Sequence, residues 1–219
     1  MTMRKPSFSL ACLPLALAAC STPSEPTASP LDTELSELIA MLPGEYAGDA
    51  PKGMQPDGEM HRLVHAFMPA EAAQFGEQIL YYHIAHGEPD GPVLQAKIFV
   101  FDTDQDRPAN TMKAYVLAPE VAETLRKGDA GAWAALDPAG LMSFPDTCYF
   151  MWERYGEGFK AEDADTCSYP SAVFKQTITP DMTYRISPKE FSVDETLLGE
   201  DGTAIVTTGG PLIAERIGE

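Results

Sequence analysis

The chain has 219 residues, enough for one sizeable domain, and its 33 acidic against 15 basic side chains give a formal net charge of −18. Such a balance repels nucleic acid and anionic membrane surfaces, and it favours solubility or a cationic partner. Nucleic acid is therefore set aside as a partner.

At the N-terminus Arg4 and Lys5 flank an apolar stretch from Phe8 to Ala19, the layout of an export signal. The stretch is about a dozen residues, too short to cross a hydrocarbon core that needs roughly 20. It ends in Leu17-Ala18-Ala19-Cys20, small residues before a cysteine, which is what a lipoprotein signal peptidase reads. Residues 1–19 are thus expected to be cleaved and Cys20 lipidated. Each buried acyl methylene contributes about 0.8 kcal/mol, so several chains on one cysteine make an anchor, and the domain need not touch lipid. Ser21 after the lipid site leans towards the periplasmic face of the outer membrane within the cell envelope. Cleavage removes Arg4 and Lys5 and no acid, which makes the mature chain more acidic still. Of the four cysteines, Cys12 leaves with the signal, Cys20 takes lipid, and Cys148 and Cys167 remain to pair in an oxidising compartment. Closing that loop is worth about 3 kcal/mol in the chain-entropy picture.

Residues 20–30 are small, polar and proline-rich and read as a tether. Leu31, Leu35, Leu38, Ile39 and Leu42 then recur at helical spacing, with Asp32 and Glu34 at the favourable end of the dipole, and Pro43-Gly44 stops the helix. From there to residue 219 the pattern is one domain of short apolar or alternating runs. Strands are expected near 59–67, 77–86, 93–102, 111–117, 147–155, 172–178, 182–187, 190–198 and 211–217, interrupted by one helical stretch at 119–136. This series predicts a closed or nearly closed antiparallel sheet. Several strands carry bulk on both faces: Leu94, Ala96, Ile98 and Val100 on one, Phe99 and Phe101 with Gln95 and Lys97 on the other. Two apolar faces call for a filled lumen inside and a covering helix, partner or ligand outside.

The motifs that would carry specific chemistry fail on spacing. His61 and His65 beside Glu59 have the spacing of helical zinc ligands, but on a strand they stand about 13 Å apart, too far for one ion, so no metal site is expected. Asp102 to Asp106 begins like a calcium loop, yet Arg107 and Lys113 occupy the places of its glycine and closing acid. Gly156-Glu157-Gly158-Phe159-Lys160-Ala161 matches a dinucleotide fingerprint in letters only, since Glu162, Asp163 and Asp165 follow where a phosphate would sit. What remains is an aromatic and charged set around Tyr81, Tyr82 and His83 and from Tyr149 through Trp152 to Tyr155. There Trp152 can stack on a planar amphipathic ligand, Arg154 can pair with its carboxylate, and Glu153 can exchange a proton with a ring nitrogen. Tyr81, Tyr82, Gln95, Tyr149 and Trp152 are the ligand-binding candidates, and Glu153, Arg154 and His83 are the ionisable groups for any catalysis. The competing reading makes the same residues ordinary core and surface.

In order and spacing the pattern resembles the CpcT/CpeT family, the T-type phycobiliprotein chromophore lyases. A leading helix is followed by Gly44-Glu45-Tyr46, then Gly76 with Leu80-Tyr81, Pro92 and Gln95, the spaced Cys148, Phe159 and Cys167, and a closing turn at Asp201-Gly202 with a strand to Ile217. The resemblance implies a calycin-like, lipocalin-like antiparallel β-barrel with an N-terminal and a mid-chain helix. It also implies a bilin or similar tetrapyrrole in the lumen, with no further cofactor, and addition of a client protein's cysteine to that bilin. Pro92-Val93-Leu94-Gln95-Ala96 lacks the two arginines of the family's corresponding segment, and His83 and Ile84 stand where it tends to have Glu and Gln. Three functions stay open: an envelope barrel binding an amphipathic ligand, a chromophore lyase, and a structural lipoprotein filled by its own side chains. The partners expected are a small amphipathic ligand, a client protein with an acceptor cysteine, the membrane through the lipid anchor only, and a second copy in a homodimer.

Overall fold

The computed structural model describes residues 29–50, 61–104 and 109–218. The export signal, Cys20, Glu59 and all of the tether before Ser29 lie outside the described residues. Among the described residues no helix is long and apolar enough to cross a membrane.

The domain begins with α1 (Pro30–Met41). Its start is fixed by a capping box: Ser29 Oγ accepts from the Asp32 amide at 3.1 Å, and Asp32 Oδ2 accepts from the Ser29 amide at 3.1 Å. The Ser29 hydroxyl beside the Asp32 carboxyl, and after it the Ser29 amide, hold that carboxyl below its ordinary range. Leu35, Leu38 and Leu42 form the buried stripe of this helix.

Thirteen strands follow: β1 (Gly44–Asp49), β2 (Arg62–Pro69), β3 (Gln78–His86), β4 (Val93–Asp104), β5 (Ala109–Leu117), β6 (Met142–Ser143), β7 (Phe150–Tyr155), β8 (Gly158–Asp163), β9 (Tyr169–Ser171), β10 (Gln176–Ile186), β11 (Glu190–Leu198), β12 (Ala204–Thr207) and β13 (Leu212–Ile217). Ten of them close a ring in the order β11, β13, β1, β2, β3, β4, β5, β7, β8, β10 and back to β11, every pairing antiparallel. The sheet is therefore the expected antiparallel β-barrel of calycin type. β6, β9 and β12 are short additions along β5, β10 and β11.

Alternation sorts each strand into an inward and an outward row. Inward, Tyr46, Phe67, Leu80, Phe99, Phe101, Trp152, Phe159, Ile186 and Phe191 fill one half of the barrel, and α1 seals that end with Leu35, Leu38 and Leu42. Arg216 locks the seal. Its guanidinium donates to Met41 O at 2.7 Å, to Pro43 O at 2.8 Å and to the Tyr46 hydroxyl, so a cation meets the carbonyl end of α1. Gly44, with φ of 147°, leaves the space that this guanidinium occupies.

Outward, Ile79, Tyr81, Ala96, Ile98 and Leu117 pack under a second apolar layer. That layer is the mid-chain helical stretch, which is split: α2 (Pro119–Arg126) and α3 (Ala130–Ala134) are separate helices. Gly128, with φ of 77°, and Asp129 part them, the Asp129 carboxylate capping α3 by accepting from the Gly131 and Ala132 amides. The two apolar faces read in β4 thus belong to a filled lumen and a covering helix pair. Arg126 ties α2 to the β3–β4 turn by donating to Pro89 O and Gly91 O, at 3.1 and 2.9 Å.

Two expected strands are corrected. The runs 172–178 and 182–187 are a single strand, β10, and residues 172–175 form the turn before it. Pro180 does not end β10, because its missing N–H falls on the edge between the β8 and β9 pairings, where the neighbouring Met182 amide is met by Asp163 Oδ1 at 2.6 Å instead of by a strand.

Candidate functional site

The half of the barrel away from α1 is hollow. A cavity of about 470 Å³ opens there, walled by Leu63, His65, Tyr82, Ile84, Gln95, Lys97, Tyr184, Val193, Glu195 and Leu212, with His61, His86 and Leu94 at its rim. The alternation that directs Phe99 and Phe101 into the filled half directs Lys97 and Gln95, two and four residues earlier on β4, into this one. β11 does the same with Phe191 below and Val193 and Glu195 above. Lys97 stands cross-strand from Tyr82, and Tyr184 cross-strand from Val193.

The cavity floor is aromatic. Tyr82 stacks on Phe99 with ring centroids 5.1 Å apart, and Tyr184 stacks on Phe191 at 5.9 Å. Behind Tyr184 lies Trp152, also stacked, whose Nε1 is buried without a hydrogen-bond partner. Burial pushes the phenols of Tyr82 and Tyr184 well above their ordinary value, with the Glu195 carboxylate adding to both, so both remain neutral donors.

His65 is 1% exposed and its Nδ1 lies 2.7 Å from the Tyr82 hydroxyl, while its Nε2 has no partner. Burial, with a smaller contribution from His83, lowers its pKa to about 4, so the ring is neutral. Lys97 keeps some accessible surface because it borders the hollow, yet its ammonium sits deep within protein. Desolvation lowers its pKa and the Glu195 carboxylate opposes the shift. At the rim His61 Nδ1 lies 3.2 Å from His86 Nε2. Among the described residues no group of three or more His, Cys, Asp or Glu side chains could hold a metal ion. The chemistry of the cavity is an aromatic and aliphatic wall facing one amine and one carboxylate.

The residues singled out in the sequence fall in four places. Tyr82 and Gln95 line the cavity, and Trp152 backs it through Tyr184. Tyr149 borders a small separate hollow beside the disulfide, which joins Cys148 to Cys167 and leaves neither as a thiol. Tyr81 and His83 lie on the outer face beneath α2, where the Tyr81 hydroxyl donates to Ala122 O at 3.0 Å. His83 is 2% exposed and neither ring nitrogen completes a hydrogen bond; burial, reinforced by the Arg126 charge, lowers its pKa to about 4. Glu153 and Arg154 are exposed, Glu153 pairing with Lys160 at 3.2 Å and Arg154 with Glu37 of α1. His65 enters the sequence reading only as a rejected metal ligand, and neither Lys97 nor Glu195 is among the ligand-binding or ionisable candidates there. Lys97 could have been found, as the cation sharing a strand face with Phe99 and Phe101; Glu195 carries no comparable local signal.

Neither a family model nor a curated protein matches the chain in sequence. Among solved structures, the CRL protein of Arabidopsis superimposes with a TM-score of 0.59 at 10% identity, over 84% of this chain and 98% of that one. The T-type phycobiliprotein lyase CpeT from Prochlorococcus phage P-HM1 covers the same shares, 84% and 98%, at 9% identity and a TM-score of 0.46. At such identities the likeness is one of fold, and it rests on the CRL structure.

Proposed function

We propose that this protein is an envelope lipoprotein, anchored through Cys20, whose barrel carries an amphipathic ligand of the open-chain tetrapyrrole type in the mouth cavity. The observation that supports this reading is the division of the lumen into a packed half under α1 and a hollow half lined by Tyr82, Tyr184, Lys97 and Glu195. A barrel serving only as a structural body has no need of a hollow with an amine and a carboxylate on its wall, because polar groups turned into an empty interior cost stability. The volume lies within the roughly 300 to 1,000 Å³ usual for small-molecule sites. A bilin suits the lining: its rings lie against Tyr82 and Tyr184, pyrrole N–H groups donate to Glu195, a lactam carbonyl accepts from Lys97, and its propionates reach the rim at His61 and His86. Cys148 and Cys167 offer no thiol, so in a lyase-like transfer the cysteine is the client's.

The test is a titration of the purified protein with biliverdin, followed by visible absorbance. Saturable, one-to-one spectral change in the micromolar range is expected, and Leu63→Trp, which fills the cavity, weakens it by about tenfold or more, equivalent to about 1.4 kcal/mol. No spectral change at high micromolar biliverdin removes tetrapyrrole binding.

A further inference from the structure

Lys97 differs from the lysines that the fold uses structurally. Lys113 is held by Asp146 at 2.8 Å, and Lys160 by Glu162 and Glu153 at 2.9 and 3.2 Å. Among the described residues Lys97 makes no hydrogen bond or ion pair of that kind, although it stands inside the barrel and borders both the mouth cavity and the small hollow beside the disulfide. We propose that Lys97 is a nucleophilic amine, and that the mouth cavity captures amphipathic aldehydes by condensing them with Lys97 Nζ to an imine that Glu195 balances in charge.

The surroundings supply what that step needs. Desolvation lowers the Lys97 pKa, against the pull of the Glu195 carboxylate, and so raises the share of neutral amine, whose lone pair is the nucleophile. The lone pair attacks the aldehyde carbon, the C=O π electrons move to oxygen, and a proton passes from nitrogen to that oxygen to give a carbinolamine. Loss of the hydroxyl as water then leaves C=N, so that aldehyde and amine give imine and water with no oxidant or reductant. Glu195 can take and return the proton, and its carboxylate neutralises the protonated imine. An anionic ligand head would gain from Lys97 but be repelled by Glu195; an uncharged carbonyl meets no such opposition, and the iminium formed from it needs the carboxylate. The apolar wall at Leu63, Ile84 and Leu212 takes the chain or polyene of the aldehyde.

This inference rests on the cavity admitting an amphipathic ligand, so the experiment separates the two. The purified protein is incubated with all-trans-retinal, treated with sodium cyanoborohydride and mapped by peptide mass spectrometry. In parallel, all-trans-retinol, the same skeleton without the carbonyl, is titrated by quenching of tryptophan fluorescence. The expected result is that retinol binds and that retinal is trapped on Lys97 at least about tenfold more than on any other lysine. Lys97→Arg should lose that adduct while Glu195→Gln keeps it, with the pH at which the imine loses its proton lowered. Retinol binding with trapping only on surface lysines, or none, overturns the imine and leaves the carrier reading standing. Failure of retinol and retinal both to bind overturns the cavity reading and the imine with it. The mapping of the unmutated protein decides the matter even if a variant fails to fold.

Discussion

Replacing Arg216 by alanine tests the account of how the barrel is sealed. The guanidinium meets three acceptors, Met41 O at 2.7 Å, Pro43 O at 2.8 Å and the Tyr46 hydroxyl, and it lies 4.7 Å above the Tyr46 ring centroid. Tyr46 is fully buried and passes its own hydroxyl proton towards Leu42 O at 3.1 Å, so the same site holds the end of α1 and the start of β1. Hydrogen bonds to a charged partner contribute about 1.5 to 3 kcal/mol each and are not additive when shared by one group, which places the loss at about 3 kcal/mol. For a domain of this size that is a fall in Tm of about 6 to 12 °C. Urea unfolding followed by circular dichroism should show a lower midpoint with the slope unchanged, since the surface exposed on unfolding is the same. Arg216→Lys, which keeps the charge but not the planar fork, should recover about half. A loss below about 1 kcal/mol for Arg216→Ala would refute the claim that this residue seals α1 to the barrel.

The two buried histidines set a pH dependence. His65 and His83 both have folded pKa values of about 4 against about 6.5 unfolded, so below pH 6.5 the unfolded chain takes up protons that the folded one refuses. Stability is full above pH 6.5 and falls as pH drops towards 4, by about 2 to 3 kcal/mol per ring. His83→Phe should remove about half of that slope in urea titrations at pH 7 and pH 4.5; an unchanged slope counts against the assignment. At the β7–β8 turn a Cβ on Gly158 would overlap the Ile186 carbonyl of β10, so Gly158→Ala is expected to cost about 2 to 4 kcal/mol, read by thermal unfolding. Mass spectrometry of the unreduced protein should find Cys148 linked to Cys167, and reduction should lower stability by about 3 kcal/mol; free thiols at both would count against the pairing.

The barrel was legible where burial on two faces left its mark in consecutive residues. β4 is the clearest case, because its two apolar rows specified both a filled interior and an outer cover, which α2 and α3 supply. β8 was not legible: Phe159 and Ala161 face inward, but Lys160 between them, Glu162 after them and the flanking acids resemble a solvated loop. Pro180 divided β10 on paper because the sequence does not disclose that its edge is unpaired there. The candidate site was legible only in part for a related reason. Tyr82 and Gln95 advertise themselves by type and strand position, whereas the meeting of Lys97 on β4 with Glu195 on β11 depends on closure of the ring, a relation among residues about a hundred positions apart.

The placing of α1 across the packed end bears on how the proposed anchor would hold the molecule. Ser29, where α1 is capped, enters the domain at its stopper, on the side away from the mouth cavity, so a lipid on Cys20 would suspend the vessel by its base. The opening would then point away from the attachment, which would not stand in the doorway.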